Sequence, residues 1–369
     1  MKYKYRNFII ITLILFFTVN TIPNVLGKTR QSYLADFILD TEIEGRGFSN
    51  AIMDDPSGDL VSFEATAYAL YLLNNLGRNP KSDDTLETHL EGKIEDMFDS
   101  TRINIYNLYY LLNSLNLLEY TIDSSLSNRI YNYLNNIAQI SGGFSFSNTT
   151  GLPTISSTFY AIQIYALIEQ PILNVSIHKN WVLSCNNPDG GYGGNETSLS
   201  TYLDTSFAVF ILDDERFGDI HDLINIDSTL AYLKSFYVNN SADLHNYGGF
   251  LPNELAGNAL LSSTYYCVKA ISIIDNNILN NREIQLWVLK HQNFEDGGFF
   301  ENTGEFQPKI SSVVSCFYAF KTLEILNLLS SLLYEIWTVE FNFLILGIVL
   351  GSIGLIIAIA IFLWRRRRI

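Results

Sequence analysis

A pair of glycines followed by an aromatic residue occurs four times, at Gly142-Gly143-Phe144, Gly190-Gly191-Tyr192, Gly248-Gly249-Phe250 and Gly297-Gly298-Phe299. The second glycines stand 48, 58 and 49 residues apart, and Gly47 of the related Gly45-Arg46-Gly47-Phe48 stands 96 residues before Gly143. That interval holds two units, so a degenerate repeat without glycines is expected near Glu95-Asp96-Met97-Phe98. A repeat of this length is one supersecondary unit, able to bury its apolar face only against its neighbours.

The flanks repeat too. Amphipathic stretches precede the glycines, as in Trp181-Val182-Leu183-Ser184-Cys185 and Leu286-Trp287-Val288-Leu289-Lys290. A small-x-aromatic-small step follows them: Thr66-Ala67-Tyr68-Ala69, Thr158-Phe159-Tyr160-Ala161, Thr205-Ser206-Phe207-Ala208, Thr264-Tyr265-Tyr266-Cys267 and Cys316-Phe317-Tyr318-Ala319. In the second unit, Asn107-Leu108-Tyr109-Tyr110 stands at a comparable place. Each unit reads as helix, glycine turn, helix, with glycines supplying the positive φ of a tight reversal. Second helices such as Phe207 to Leu212 are apolar nearly all round and demand burial, whereas first helices keep a polar face. The expected fold is all-α: six buried helices inside six amphipathic ones, an α6/α6 toroid of helical hairpins.

The aromatic-to-Gln helix end followed by Asp-Gly-Gly-aromatic resembles the repeat of protein prenyltransferase β-subunits and squalene (terpene) cyclases. Trp181-x4-Asn186-Asn187-Pro188-Asp189-Gly190-Gly191-Tyr192 and Trp287-x4-Gln292-x3-Asp296-Gly297-Gly298-Phe299 carry the resemblance, which covers roughly residues 30 to 330. It implies the toroid. It says little of activity, because one fold hosts many functions.

The resemblance also implies where chemistry would sit. Prenyltransferases hold a zinc with an Asp-x-Cys pair and a His, and that zinc activates the acceptor thiol. The matching positions here are Leu260 and Ser262, then Val314 or Ser315. The cyclases' Asp-x-Asp-Asp acid motif is not present; Asp213-Asp214-Glu215 reads as a solvated helix end. Thioester toroids carry Gly-Cys-Gly-Glu-Gln, whereas Cys185 is followed by Asn186-Asn187. A cobalamin binder on the same fold is a further option. No catalytic residue, metal site or cofactor is assigned.

The ends of the chain imply a membrane. Lys2, Lys4 and Arg6 precede the apolar run Phe8 to Val19, and Val25-Leu26-Gly27 suits cleavage, so residues 1–27 read as a signal peptide. Phe341 to Leu363 carries no charge, is flanked by Trp337 and Trp364, and is followed by Arg365 to Arg368. Such a stretch is long enough to span a bilayer of about 30 Å. The expected organisation is a toroid at 28–335 outside the membrane, a transmembrane helix with flanks at 336–364, and a cytoplasmic basic tail at 365–369. Sequons at Asn148, Asn174, Asn195 and Asn239 agree with an outside location. Cys185, Cys267 and Cys316 read as buried free thiols. Without its ends the chain keeps 16 basic and 37 acidic residues, a surface that repels phosphate backbones, so nucleic acid is no partner.

The candidate cavity lining is Tyr68, Tyr160, Phe207, Tyr266 and Tyr318, with Glu64 and Asp204 near the mouth because both shortly precede the Thr of an inner helix. Core packing competes for the aromatics, and complementing the helix dipole competes for the acids. The expected function is a non-catalytic, membrane-anchored toroid that binds an apolar small molecule or a protein partner. An active prenyltransferase- or cyclase-type enzyme with rearranged catalytic groups is the alternative.

Overall fold

Six helices whose first turns carry no lysine or arginine and whose middles are almost wholly buried form the inner wall. In the computed structural model, residues 28–334 are described apart from 53–59, 82, 101, 148–150, 278 and 303–307, together with Arg366. The outer helices are α1 (Arg30–Asp40), α3 (Asp83–Asp99), α5 (Ser124–Ile137), α7 (Val175–Ser184), α9 (Ile226–Ser235) and α11 (Asn281–Lys290). The inner helices are α2 (Phe63–Leu76), α4 (Ile105–Leu117), α6 (Ile155–Leu167), α8 (Tyr202–Leu212), α10 (Leu261–Ile274) and α12 (Val313–Ile325). Each inner helix packs on the next, and α12 packs on α2, so the ring closes. Two short β-pairs, Glu42–Ile43 with Gly47–Phe48 and Tyr192–Gly193 with Ser200–Thr201, are the strands among the described residues. Residues 30–333 form one compact unit.

The glycine pairs dock each unit on the next. The first glycine lies against a backbone carbonyl of the following outer helix: Gly142 on Ile177, Gly190 on Ser228, Gly248 on Glu283 and Gly297 on Tyr33. Four residues on, one helical turn away, an aromatic ring covers the second glycine: Trp181, Tyr232, Trp287 and Phe37 respectively. The last member of each set belongs to α1, so the sixth unit docks on the first. Arg30 seals the same seam, donating to Leu289 O at 3.2 Å and Gln292 Oε1 at 3.0 Å. At the other end of the inner helices, Tyr71 donates to Glu324 at 2.8 Å and Lys321 pairs with the same carboxylate, tying α2 to α12.

The second unit is the degenerate one. Its α3 runs to Asp99 and the chain turns without glycine into α4, which Asn104 caps through the N–H groups of Tyr106 and Asn107. The inner helices start alike elsewhere, with Ser62, Thr154, Thr201 and Ser312 as hydroxyl caps. Such caps occupy orphan donors of the first turn. Leu260 has no capping atom, and Glu301 of the next unit takes over, accepting from Leu261 N at 2.6 Å and Ser262 N at 3.0 Å.

Among the described residues no helix is long and apolar enough to cross a membrane. The expected signal segment 1–27 and the span Phe341–Leu363 lie outside the described residues, as does Asn148 of the first sequon. The three cysteines are free and buried.

Candidate functional site

Six residues beyond its cap, every inner helix carries a ring: Tyr68, Tyr110, Tyr160, Phe207, Tyr266 and Tyr318. These rings touch in sequence around the axis. Centroids are 5.6 Å apart for Tyr68–Tyr110, 5.9 Å for both Tyr110–Tyr160 and Tyr160–Phe207, 5.4 Å for Phe207–Tyr266, 5.6 Å for Tyr266–Tyr318 and 6.0 Å for Tyr318–Tyr68. Within this range aromatic pairs attract beyond simple burial. Tyr68 is also stacked on Phe317 at 3.7 Å. All six girdle rings are buried.

The structure thus brings five of the sequence-proposed cavity residues into one closed girdle, and Tyr110 completes it. Glu64, in the first turn of α2, sits at its edge. Tyr110 Oη donates to Glu64 Oε1 at 3.0 Å and lies 3.3 Å from Tyr68 Oη and 3.2 Å from Tyr160 Oη. Burial raises the Glu64 carboxyl above its ordinary pKa, against the pull of the tyrosine hydroxyls. The same burial pushes Tyr68 and Tyr110 far above the usual phenol range, so both hydroxyls stay protonated.

Asp204 goes elsewhere. It accepts from Thr201 Oγ1 at 2.7 Å and from no girdle tyrosine, closing the cap of α8. Burial raises its carboxyl as well. The helix-end reading fits its bonding.

An open pocket of about 590 Å³ adjoins the girdle at the N-terminal ends of α2 and α4. Val61, Phe63, Glu64, Tyr106, Tyr110 and Tyr160 are among its lining residues. Tyr106 and Tyr160 have ring centroids 4.7 Å apart, and Tyr106 Oη lies 3.1 Å from Ser156 Oγ. Sequence reasoning missed Tyr106 and Tyr110. Counting six residues from Asn104 as the cap finds Tyr110, which has the same place as Tyr68 in its own helix.

The positions of the family's zinc ligands hold other chemistry. Leu260 caps α10 only by backbone, Ser262 N is held by Glu301, and Val314 N donates to Asn50 Oδ1 at 3.1 Å. Ser315 N donates to the capping Ser312. Among the described residues no three of His, Cys, Asp and Glu are grouped to hold a metal ion. Asp213 closes α8, and Asp214 pairs with Arg216 at 2.6 Å in the loop that follows. At this end of the barrel Lys269 of α10 lies over the Phe210 ring, 4.1 Å from its centroid, and burial lowers its ammonium to about 8.

Known proteins share this architecture. The sequence profile of the prenyltransferase alpha-alpha toroid domain matches residues 81–179, 174–254 and 244–338. No curated protein sequence matches the chain. Among solved structures, protein geranylgeranyltransferase-I of Candida albicans, complexed with GGPP, aligns with a TM-score of 0.54 and 16% identity over 73% of this chain and 86% of that one. The type II terpene cyclase MstE from Scytonema aligns with a TM-score of 0.52 and 12% identity over 82% of this chain and 97% of that one. A protein from Actinoplanes gives 0.50 and 13%, over 82% and 98%. Likeness at such identities establishes the fold alone.

Proposed function

The chain belongs to the prenyltransferase alpha-alpha toroid family, and from that premise we propose that it is a binding member of it, without transferase or cyclase activity. The ligand is a small molecule with an apolar body, held at the mouth of the barrel. The apolar stretch Phe341–Leu363 anchors the domain on the outer face of a membrane.

The closed aromatic girdle carries the reading. An isoprenoid chain lying along the axis needs space that Tyr68, Tyr110, Tyr160, Phe207, Tyr266 and Tyr318 fill by mutual contact. Ligand space lies instead in the pocket beside Glu64, within the roughly 300–1,000 Å³ typical of small-molecule sites. The enzyme alternative fares less well. Leu260 and Val314 have no donor atom for zinc, and serine hydroxyls are poor ligands for it. Glu64 is the one acid among the described lining residues of the aromatic pocket, but protonating an alkene calls for a strong acid, and burial makes this carboxyl a weaker one.

A protein partner is the second reading, favoured by one observation. Ile140, Leu152, Leu199, Leu244, Leu255 and Ile310 are all more than half exposed, and all lie in loops running from an outer to an inner helix. Those loops share one end of the barrel, and such a concentration marks interaction surfaces more often than chance scatter does.

Elemental analysis and a radiolabelled isoprenyl-diphosphate assay with peptide thiols test the absence of catalysis. The expected result is substoichiometric zinc and no transfer. One tightly held zinc per chain, or labelled peptide above the no-protein background, would return the enzyme reading to first place.

A further inference from the structure

The mouth pocket has an unusual balance of groups. Glu64 shares it with four aromatic residues, Phe63, Tyr106, Tyr110 and Tyr160, and no lysine, arginine or histidine is among the described lining residues. Tyr110 supplies one hydroxyl to the carboxylate at 3.0 Å and the Tyr68 hydroxyl pulls the same way, but neutral hydroxyls do not cancel a charge. An ionised carboxylate partly withdrawn from water is costly until a counter-charge arrives. Anionic ligands are disfavoured by the same charge. Hard metal ions are a poor fit, since calcium takes six to eight oxygen ligands and magnesium a near-octahedral set. The lining offers a single carboxylate, a Ser62 hydroxyl already engaged as a helix cap, and otherwise only the Asn107 amide and tyrosine hydroxyls. A weakly hydrated organic cation meets both halves of the lining at once, because ring faces attract cations electrostatically.

We propose that this pocket binds an organic ammonium ion, its charged head held by Glu64 and the rings of Tyr106, Tyr110 and Tyr160, and its apolar remainder against Phe63 and Val61. The assignment rests on the binding function proposed above and specifies the ligand's charge. It separates this chain from toroids that take diphosphates, for which a carboxylate at the mouth is repulsive. Tyr110 is a positioning residue for the carboxylate as well as a ring of the wall, and through Tyr68 and Tyr160 it ties the pocket to the girdle.

Isothermal titration of the full chain, purified in a nonionic detergent, with choline and with its neutral isostere 3,3-dimethylbutan-1-ol tests the idea. Choline should bind at least about ten-fold more tightly than the alcohol, a cation–π and charge contribution of about 1.4 kcal/mol. Glu64→Gln should abolish that preference. Tyr106→Leu should weaken choline while Tyr106→Phe retains it, and this pair decides the matter if the Glu64 variant misfolds by circular dichroism. Equal binding of choline and the alcohol overturns the ammonium assignment and leaves the pocket-binding reading standing. Choline binding unchanged in Glu64→Gln or Tyr106→Leu places the cation elsewhere and also overturns it. Failure of both probes to bind overturns the assignment, and the general binding reading falls with it only if no small molecule co-purifies with the chain.

Discussion

Thr264 Oγ1 accepts the backbone N–H of Phe250 at 3.0 Å, joining the first turn of an inner helix to the aromatic residue of the glycine motif before it. The bond recurs from Thr66 to Phe48 at 3.0 Å, from Thr158 to Phe144 at 3.0 Å and from Thr205 to Tyr192 at 2.8 Å. In the sixth unit the acceptor is sulfur, Cys316 Sγ to Phe299 N at 3.1 Å. Each donor is buried, so an unfilled partner costs about 1–3 kcal/mol. Thr264→Val is expected to lower unfolding free energy by that amount in urea titration, with Thr264→Ser losing less. Cys316→Thr is expected to match or exceed the wild type, because it restores the oxygen acceptor, while Cys316→Val falls below both.

Gly297 has φ of +88°, and a Cβ there would lie 2.5 Å from the carbonyl oxygen of Tyr33. The two nearest obstructing atoms belong to the backbone of Tyr33 within α1, which does not yield cheaply. Gly297→Ala is expected to cost about 3 kcal/mol or more and to open the seam between the sixth and first units. Gly77→Ala is the control: φ is +65° but nothing lies within 4 Å, so the cost is about 1 kcal/mol. Comparable losses at the two sites in thermal melts would mean that close approach does not constrain Gly297.

Much of this was legible in the sequence because docking against a neighbouring backbone admits only glycine, and the same contact recurs at a fixed spacing. The doubled interval before Gly143 requires a further hairpin, and one stands there as the second of the ring, but Glu95 to Phe98 lie within α3 and the turn comes only after Asp99. The girdle was legible through Tyr68, Tyr160, Phe207, Tyr266 and Tyr318. Tyr110 escaped because the second unit was aligned one residue off, on Asn107 rather than Leu108. Leu108 stands in the threonine position, where no glycine-motif amide awaits an acceptor. Glu64 and Asp204 looked equivalent along the chain. They diverge in space because Thr201 is near enough to bond Asp204, whereas Glu64 faces the hydroxyl of Tyr110 from a neighbouring helix. Long-range partners of that kind leave no local pattern.

Burial, chiefly, holds the His291 imidazole down to about 4, with Nδ1 2.8 Å from Trp287 O. An unfolded histidine titrates near 6.5. Between those values the unfolded chain binds a proton that the folded chain refuses, so this stability is present above about pH 6.5 and lost as pH falls toward 4. His291→Gln is expected to flatten the decline in Tm over that window relative to wild type. Buried Glu64 and Glu301 have raised values and push the opposite way in both proteins, so the difference between the two melts isolates His291. Parallel profiles would mean that the imidazole protonates in place.

The outward-facing toroid proposed above rests on the basic and apolar segments of the sequence and is open to direct test. Protease treatment of intact cells is expected to remove the toroid and leave a short C-terminal fragment containing Arg365 to Arg368. A protected toroid would reverse the orientation and reopen the diphosphate-dependent enzyme reading.

The claim that the mouth beside Glu64 is a ligand site, and not a relic of a transferase centre, is tested most directly by native mass spectrometry of the purified full chain. The expected spectrum shows the polypeptide with one small organic molecule that leaves on denaturation and that Glu64→Gln fails to retain. A native mass equal to the bare polypeptide, or to the polypeptide with one zinc ion, would contradict the account.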